Sequence, residues 1–218
     1  MIFDEPLGGR FTYISWDVDL RLSGAFVRSS GRRGAQKRTL ARLAASLTGR
    51  PEVHSAQVLE VTVIPPITGG PRYDLALLVR ADAALDEFIA AEALTLGLPA
   101  PSLSLTARNS GKFGDTDARP GEILLNHFAG TATPHEAVDA WKSVSQWYMD
   151  VLGVDNSTLL EFDPGAPFLI MNYARIPGKV IPFLAGQLAR PSFYRVVRGR
   201  LHDARITPFP LFARKVGA

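Results

Sequence analysis

The stretch "NSGKFGDTDARPG", residues 109–121, is where the pattern of the chain starts again. Its glycines, aspartates and proline punctuate the sequence. On either side of it the same kinds of element follow one another in the same order. After it, "EILLNHFAG" (122–130) is an apolar run of strand length. Then Thr133, Pro134 and Glu136 form a helix start: an N-cap threonine, a proline at the first helical position and a glutamate able to close a capping box. Val138, Trp141, Val144, Tyr148 and Val151 recur at helical spacing, and Gly153 ends the run. "STLLEF" reads as a strand, "DPGAP" as a turn and "FLIMNYARI" as another strand. "IPFLAGQLARPSFYRVVRGRL" reads as helix broken near Pro191, and "ARITPFPLFARKV" as a last strand whose prolines suit an edge or a bulge.

Before the connection the reading is parallel. "FTYISWDVDL" (11–20) alternates and is rich in aromatic and β-branched residues, so it predicts a strand. Residues 21–34, with Gly, Ser and Arg, predict a long exposed loop. "AQKRTLARLAASLTG" predicts a helix with Leu40, Leu43, Ala44 and Leu47 on one face. "HSAQVLEVTVIPP" and "YDLALLVRA" are strands. "ADAALDEFIAAEALTLGL" is a second helix with Leu85, Phe88, Ile89 and Leu96 turned inward, and "SLSLTAR" is a fourth strand.

The order is therefore β-α-β-β-α-β, twice, in an α+β chain. It predicts two tandem ferredoxin-like repeats, at 11–110 and 121–216. Such a unit builds an antiparallel sheet in the strand order 4-1-3-2 with both helices on one face, and the bare faces of two such sheets can cover each other.

In this order the chain resembles the dimeric α/β-barrel superfamily in a fused, tandem form. A local echo lies in "FLAGQLARPSFYRVVRGRL", which is similar to the last helix of small antibiotic-biosynthesis-type monooxygenases and their haem-degrading relatives. The resemblance implies a pseudo-dimeric barrel with a ligand cavity. Members of the superfamily include cofactor-independent oxygenases, cyclases of polyketide-like compounds, haem-binding enzymes and proteins with no known reaction. The helix that would carry a haem histidine holds Tyr194 and Arg195 here, with His202 only at its end. No cofactor is expected.

The polar residues of the second repeat suggest where a cavity would lie. Asn126 and His127 occupy its first strand; Asn172, Tyr173 and Arg175 occupy its third, and the two strands are neighbours in the 4-1-3-2 order. Alternation puts Ile123, Leu125 and His127 on one face and Leu124, Asn126 and Phe128 on the other. Both faces are buried, so each polar side chain needs a partner on its own side. One reading makes His127 a satisfied core histidine and Asn126 a bridge between strands. The other places them in a site: His127, Tyr173 and Arg175 as catalytic groups, and Asn126, Asn172, Trp141 and Tyr148 as substrate contacts.

Composition narrows the rest. At 46% hydrophobic and 21% charged, the chain can bury a sizeable core. It has no cysteine, which removes disulfides and thiolate chemistry. The histidines have no metal-ligand spacing, and no G-x-S-x-G, G-x-G-x-x-G or P-loop pattern occurs. "GKFG" (111–114) echoes an RNA-recognition signature but lies in the wrong element, and the net charge is only +3, so no nucleic-acid partner is expected. Between Asp19 and Glu52 the charges are all basic. Arg28, Arg32 and Arg33 read either as a solvated face or as an anion-attracting patch. No apolar run is long enough to span a bilayer and the first residues are unlike a signal peptide, so a cytoplasmic protein without a membrane partner, monomer or homodimer, is expected. The functional expectation is a metal-independent small-molecule enzyme, of oxygenase, cyclase or isomerase type, on an aromatic or polyketide-like substrate. The alternative is a non-catalytic ligand-binding or assembly protein.

Overall fold

A computed structural model describes residues 3–217. The order of elements follows the one read from the sequence, in two halves. The first contains β1 (Arg10–Trp16), β2 (Leu22–Ser23), β3 (Phe26–Val27), α1 (Gly31–Thr48), β4 (Val53–Val63), β5 (Leu75–Ala81), α2 (Asp86–Thr95) and β6 (Leu103–Phe113). The second contains β7 (Glu122–Gly130), α3 (Pro134–Leu152), β8 (Ser157–Phe162), β9 (Ile170–Arg175), α4 (Val180–Leu188), a π-helical turn (Phe193–Arg198), α5 (Gly199–Asp203) and β10 (Ile206–Lys215). The strand order is β6-β1-β5-β4 in one repeat and β10-β7-β9-β8 in the other, the 4-1-3-2 arrangement each time. β8 also pairs with β6, and β10 with β4, which makes an eight-stranded closed antiparallel barrel.

Two compact units result. One holds Asn109–Pro210 with the segment up to Pro6; the other holds Leu7–Arg108 with the chain from Leu211. The long strands β6 and β10 therefore each contribute to both units. This corrects the reading of 109–121 as a connection. Asn109–Phe113 continue β6, and Asn109 donates its side-chain amide to Leu159 O of β8. Turn-forming composition yields here to ladder pairing. Gly111 is required for another reason: a Cβ there would come within 2.9 Å of the Trp141 ring.

Residues 21–34 are not a loop either. They form the β2–β3 hairpin and the start of α1, capped by Ser30. Arg33 is only 3% exposed and packs inward, not on a basic surface. Its guanidinium donates to Val61 O, to Asp74 O at 3.4 Å and to Arg28 O at 3.4 Å, and lies 3.5 Å from Glu60 Oε1 and 3.9 Å from Asp74 Oδ2. Asp74 in turn accepts the backbone N–H groups of Val18 and Asp19. The core of this unit is formed by Ile14, Trp16, Leu40, Leu47, Leu77 and Ile89 between its helices and its sheet. Of the four residues assigned to the inner side of α2, Ile89 is buried. Phe88 and Leu96 are 38% and 45% exposed, and the helix buries Ile89 and Ala93 instead.

In the other unit α3 follows its sequence signals closely. Thr133 and Glu136 form the capping box, Pro134 opens the helix and Gly153 closes it with φ of 65°. Among the described residues, no helix is long and apolar enough to cross a membrane.

Candidate functional site

β7 and β9 lie side by side, with Asn126 directly opposite Asn172 and Leu125 opposite Tyr173. Alternation then divides the polar residues between two faces, as the sequence implies. On the helix side, a cavity of about 30 Å³ is walled by Asn126, Asn172, Trp141 and Tyr148, with Phe113, Leu124, Phe128, Val144, Phe183, Val197 and Leu201 among its other lining residues. The four residues predicted as substrate contacts thus meet on one wall. Ser157 and Ser145, which the sequence reading passed over, line it too. Only the register of β8 against β9 brings Ser157 here, and no local signal marks it.

The two amides differ in their state. Asn172 Oδ1 accepts Trp141 Nε1–H at 3.1 Å and the Ser157 hydroxyl. Those two donors fix its orientation and leave its nitrogen as the free donor. Asn126 Oδ1 is buried and has no hydrogen-bond partner among the described residues. Burying an acceptor in this condition costs about 1–3 kcal/mol. Burial also raises the Tyr148 phenol above its ordinary range, so it stays a neutral donor. The wall carries no carboxylate, imidazole or amine.

His127, Tyr173 and Arg175 point to the opposite face and do not join this cavity. Each is engaged where it stands. His127 is 0% exposed and packs on Phe168 with ring centroids 5.0 Å apart. Burial pushes its pKa from 6.5 down to about 3, opposed by hydrogen bonds with the backbone of Phe209 and Leu125. Tyr173 donates to Asp117 Oδ1 at 2.6 Å; burial raises its pKa, and the neighbouring carboxylates add to this. Arg175 pairs with Asp155 at 3.0 Å, and Asp155 also binds Arg119 at 2.8 Å.

A neutral His127 makes folding sensitive to acid. Its folded pKa lies below its unfolded one, so the stability it contributes is present above about 6.5 and is lost as pH falls toward about 3. One such proton gives a slope of up to about 1.4 kcal/mol per pH unit. Urea unfolding across this window should show that slope in the wild-type chain and a flatter one in His127→Leu; equal slopes would discard the assignment.

No family model matches the chain, and no curated protein matches it. Solved structures do. An anthrone oxidase-like protein aligns with 95% of this chain and 90% of its own at a TM-score of 0.61 and 11% identity. A mutant chlorite dismutase from Candidatus Nitrospira defluvii covers 95% and 91% at 0.58 and 11%. A protein from Fusobacterium nucleatum described as a monooxygenase covers 96% and 94% at 0.56 and 6%. The fold is that of the dimeric α/β-barrel superfamily. At these identities the likeness carries the fold alone.

Haem, which the superfamily also accommodates, does not fit the residues of this wall. Its lining has no histidine or cysteine. Its one phenol is held protonated. His202 is exposed on α5, and no group of His, Cys, Asp or Glu among the described residues is placed to hold a metal ion.

Proposed function

We propose that the helix-side cavity of the second repeat binds an aromatic or polyketide-like small molecule carrying a hydroxyl or enol, and that the protein acts on it as a metal-independent oxygenase-type enzyme. The observation that carries this is the unpartnered Asn126 Oδ1, buried among aromatic walls. An acceptor left alone in such a place invites a donor from a ligand. The ligand's hydroxyl donates to Asn126, the Asn172 amide nitrogen and the Tyr148 hydroxyl donate to its oxygens, and Trp141 and Phe113 wall its ring on one side. Donors arranged in this way stabilise the enolate left when the ligand's proton passes to solvent water, and that electron-rich species reacts with dioxygen. As it stands the cavity has room for a water or two. A ring enters when α4, which has no side-chain N-cap, shifts outward with Phe183.

The absence of a base on the wall favours a second reading, in which the same cavity binds its ligand without turning it over. Anthrone separates the two. Its oxidation consumes one dioxygen and yields anthraquinone and water, and the quinone absorbance reports it. Turnover above the buffer rate, lost by at least tenfold in Asn126→Leu and reduced in Tyr148→Phe, supports the enzyme. Quenching of tryptophan fluorescence by anthrone, without quinone formation, supports the binder. Neither response would sink the site itself.

A further inference from the structure

We infer that α4 and the π-helical turn after it form a docking surface for an anionic lipid membrane. α4 buries Val180 and Phe183 and turns the opposite side to solvent. Ile181, Ala185 and Leu188 recur there at helical spacing, and Ile181 and Leu188 are 53% and 50% exposed. Tyr194, 47% exposed, extends this stripe, because its hydroxyl donates to Leu188 O at 3.2 Å. A helix of nine residues without a single charged side chain, exposed along one face, is unusual on a protein surface bathed only in water.

The charges around the stripe decide what covers it. From residue 164 to residue 202 there is no Asp or Glu. Lys179, Arg190, Arg195, Arg198 and Arg200 are all exposed in that span. Arg190 folds back onto Gly186 O, beside the apolar stripe. Lys179, Arg195 and Arg198 make no ion pair among the described residues. Asp150, Asp155 and Asp203 are exposed and lie outside the span. A second copy meeting this face across a twofold axis would bring the same cations together, which is unfavourable. An anionic bilayer answers both features: its headgroups attract the cations, its acyl boundary takes Ile181 and Leu188, and tyrosine suits the level between them. Lying on a surface needs no spanning segment, so the surface departs from the expectation of no membrane partner without conflicting with the short helices.

Co-sedimentation of the full chain with vesicles tests this. The wild-type protein should pellet with an equimolar mixture of phosphatidylcholine and phosphatidylserine, and much less with phosphatidylcholine alone. Arg195→Gln with Arg198→Gln should weaken binding about fivefold for each charge removed, and added salt should do the same to the wild type. Ile181→Ser with Leu188→Ser should weaken it about tenfold or more while circular dichroism stays unchanged. If that pair fails to fold, the two exposed arginines still carry the test. The proposal is overturned if the wild type ignores the mixed vesicles, or if neither double variant changes its binding. It is overturned equally if Ile181→Ser with Leu188→Ser abolishes a concentration-dependent dimer while the vesicles remain unbound.

Discussion

The Arg33→Met variant is expected to lose about 3–5 kcal/mol of stability in urea unfolding, the effect of removing one partner of a buried ion pair. Against a typical total of about 5–15 kcal/mol, this is a large share. The side chain holds three backbone carbonyls, from Arg28, Val61 and Asp74, so its loss removes a donor from each, although Asp74 O keeps the Val61 N–H. It also leaves Asp74 buried without its cation. Burial already raises the Asp74 pKa, and Arg33 is one of the groups that holds it down. Without Arg33 it rises further. For a carboxyl with a raised folded pKa, the ionised form is what costs stability, so the penalty is present at neutral pH and fades as pH falls to the unfolded value. The deficit of Arg33→Met should therefore shrink in acid. Adding Asp74→Asn should recover part of it at neutral pH, because the uncharged amide needs no cation. A deficit below about 1 kcal/mol, or one that grows in acid, would remove the pair from the interior.

Arg33 also shows what the sequence hides. A run of basic residues reads as solvent-exposed on local grounds, and for Arg28 and Arg32 that reading holds. What draws Arg33 inside is Asp74, 41 residues away and just before β5, and no local pattern records that distance. The same limit applies to Asn109–Phe113, where turn-like residues become strand because β8 lies beside them. Local chemistry, by contrast, was fully legible. Thr133, Pro134, Glu136 and Gly153 each act within a few residues of themselves, and α3 begins and ends on them. The doubled element order was legible too, because it depends on hydrophobic period and turn residues alone. For the polar residues the outcome is divided. The period-two rule separated Asn126 from His127 correctly, but it could not say which face the helices cover. That required Trp141 of α3 to reach Asn172 on the sheet.

The asymmetry between the two asparagines leads to the second large effect. Asn126→Leu should raise stability by about 1–3 kcal/mol, because it removes a buried acceptor that has no donor and replaces it with an apolar group. The adjoining cavity of about 30 Å³ takes up much of the added volume, which limits overpacking. Asn172→Leu should do the opposite and cost about 1–3 kcal/mol, since Trp141 Nε1–H and the Ser157 hydroxyl would both lose their acceptor. Two residues of one type, directly opposite each other in one register, would thus move stability in opposite directions. Thermal or urea unfolding of the two variants reads this directly. A stabilised Asn126→Leu that no longer quenches with anthrone would show a residue kept at a cost to the fold, which is the mark of a binding group. A destabilised Asn126→Leu that still binds anthrone would show that the carbonyl is satisfied in the folded chain, and would return Asn126 to the core.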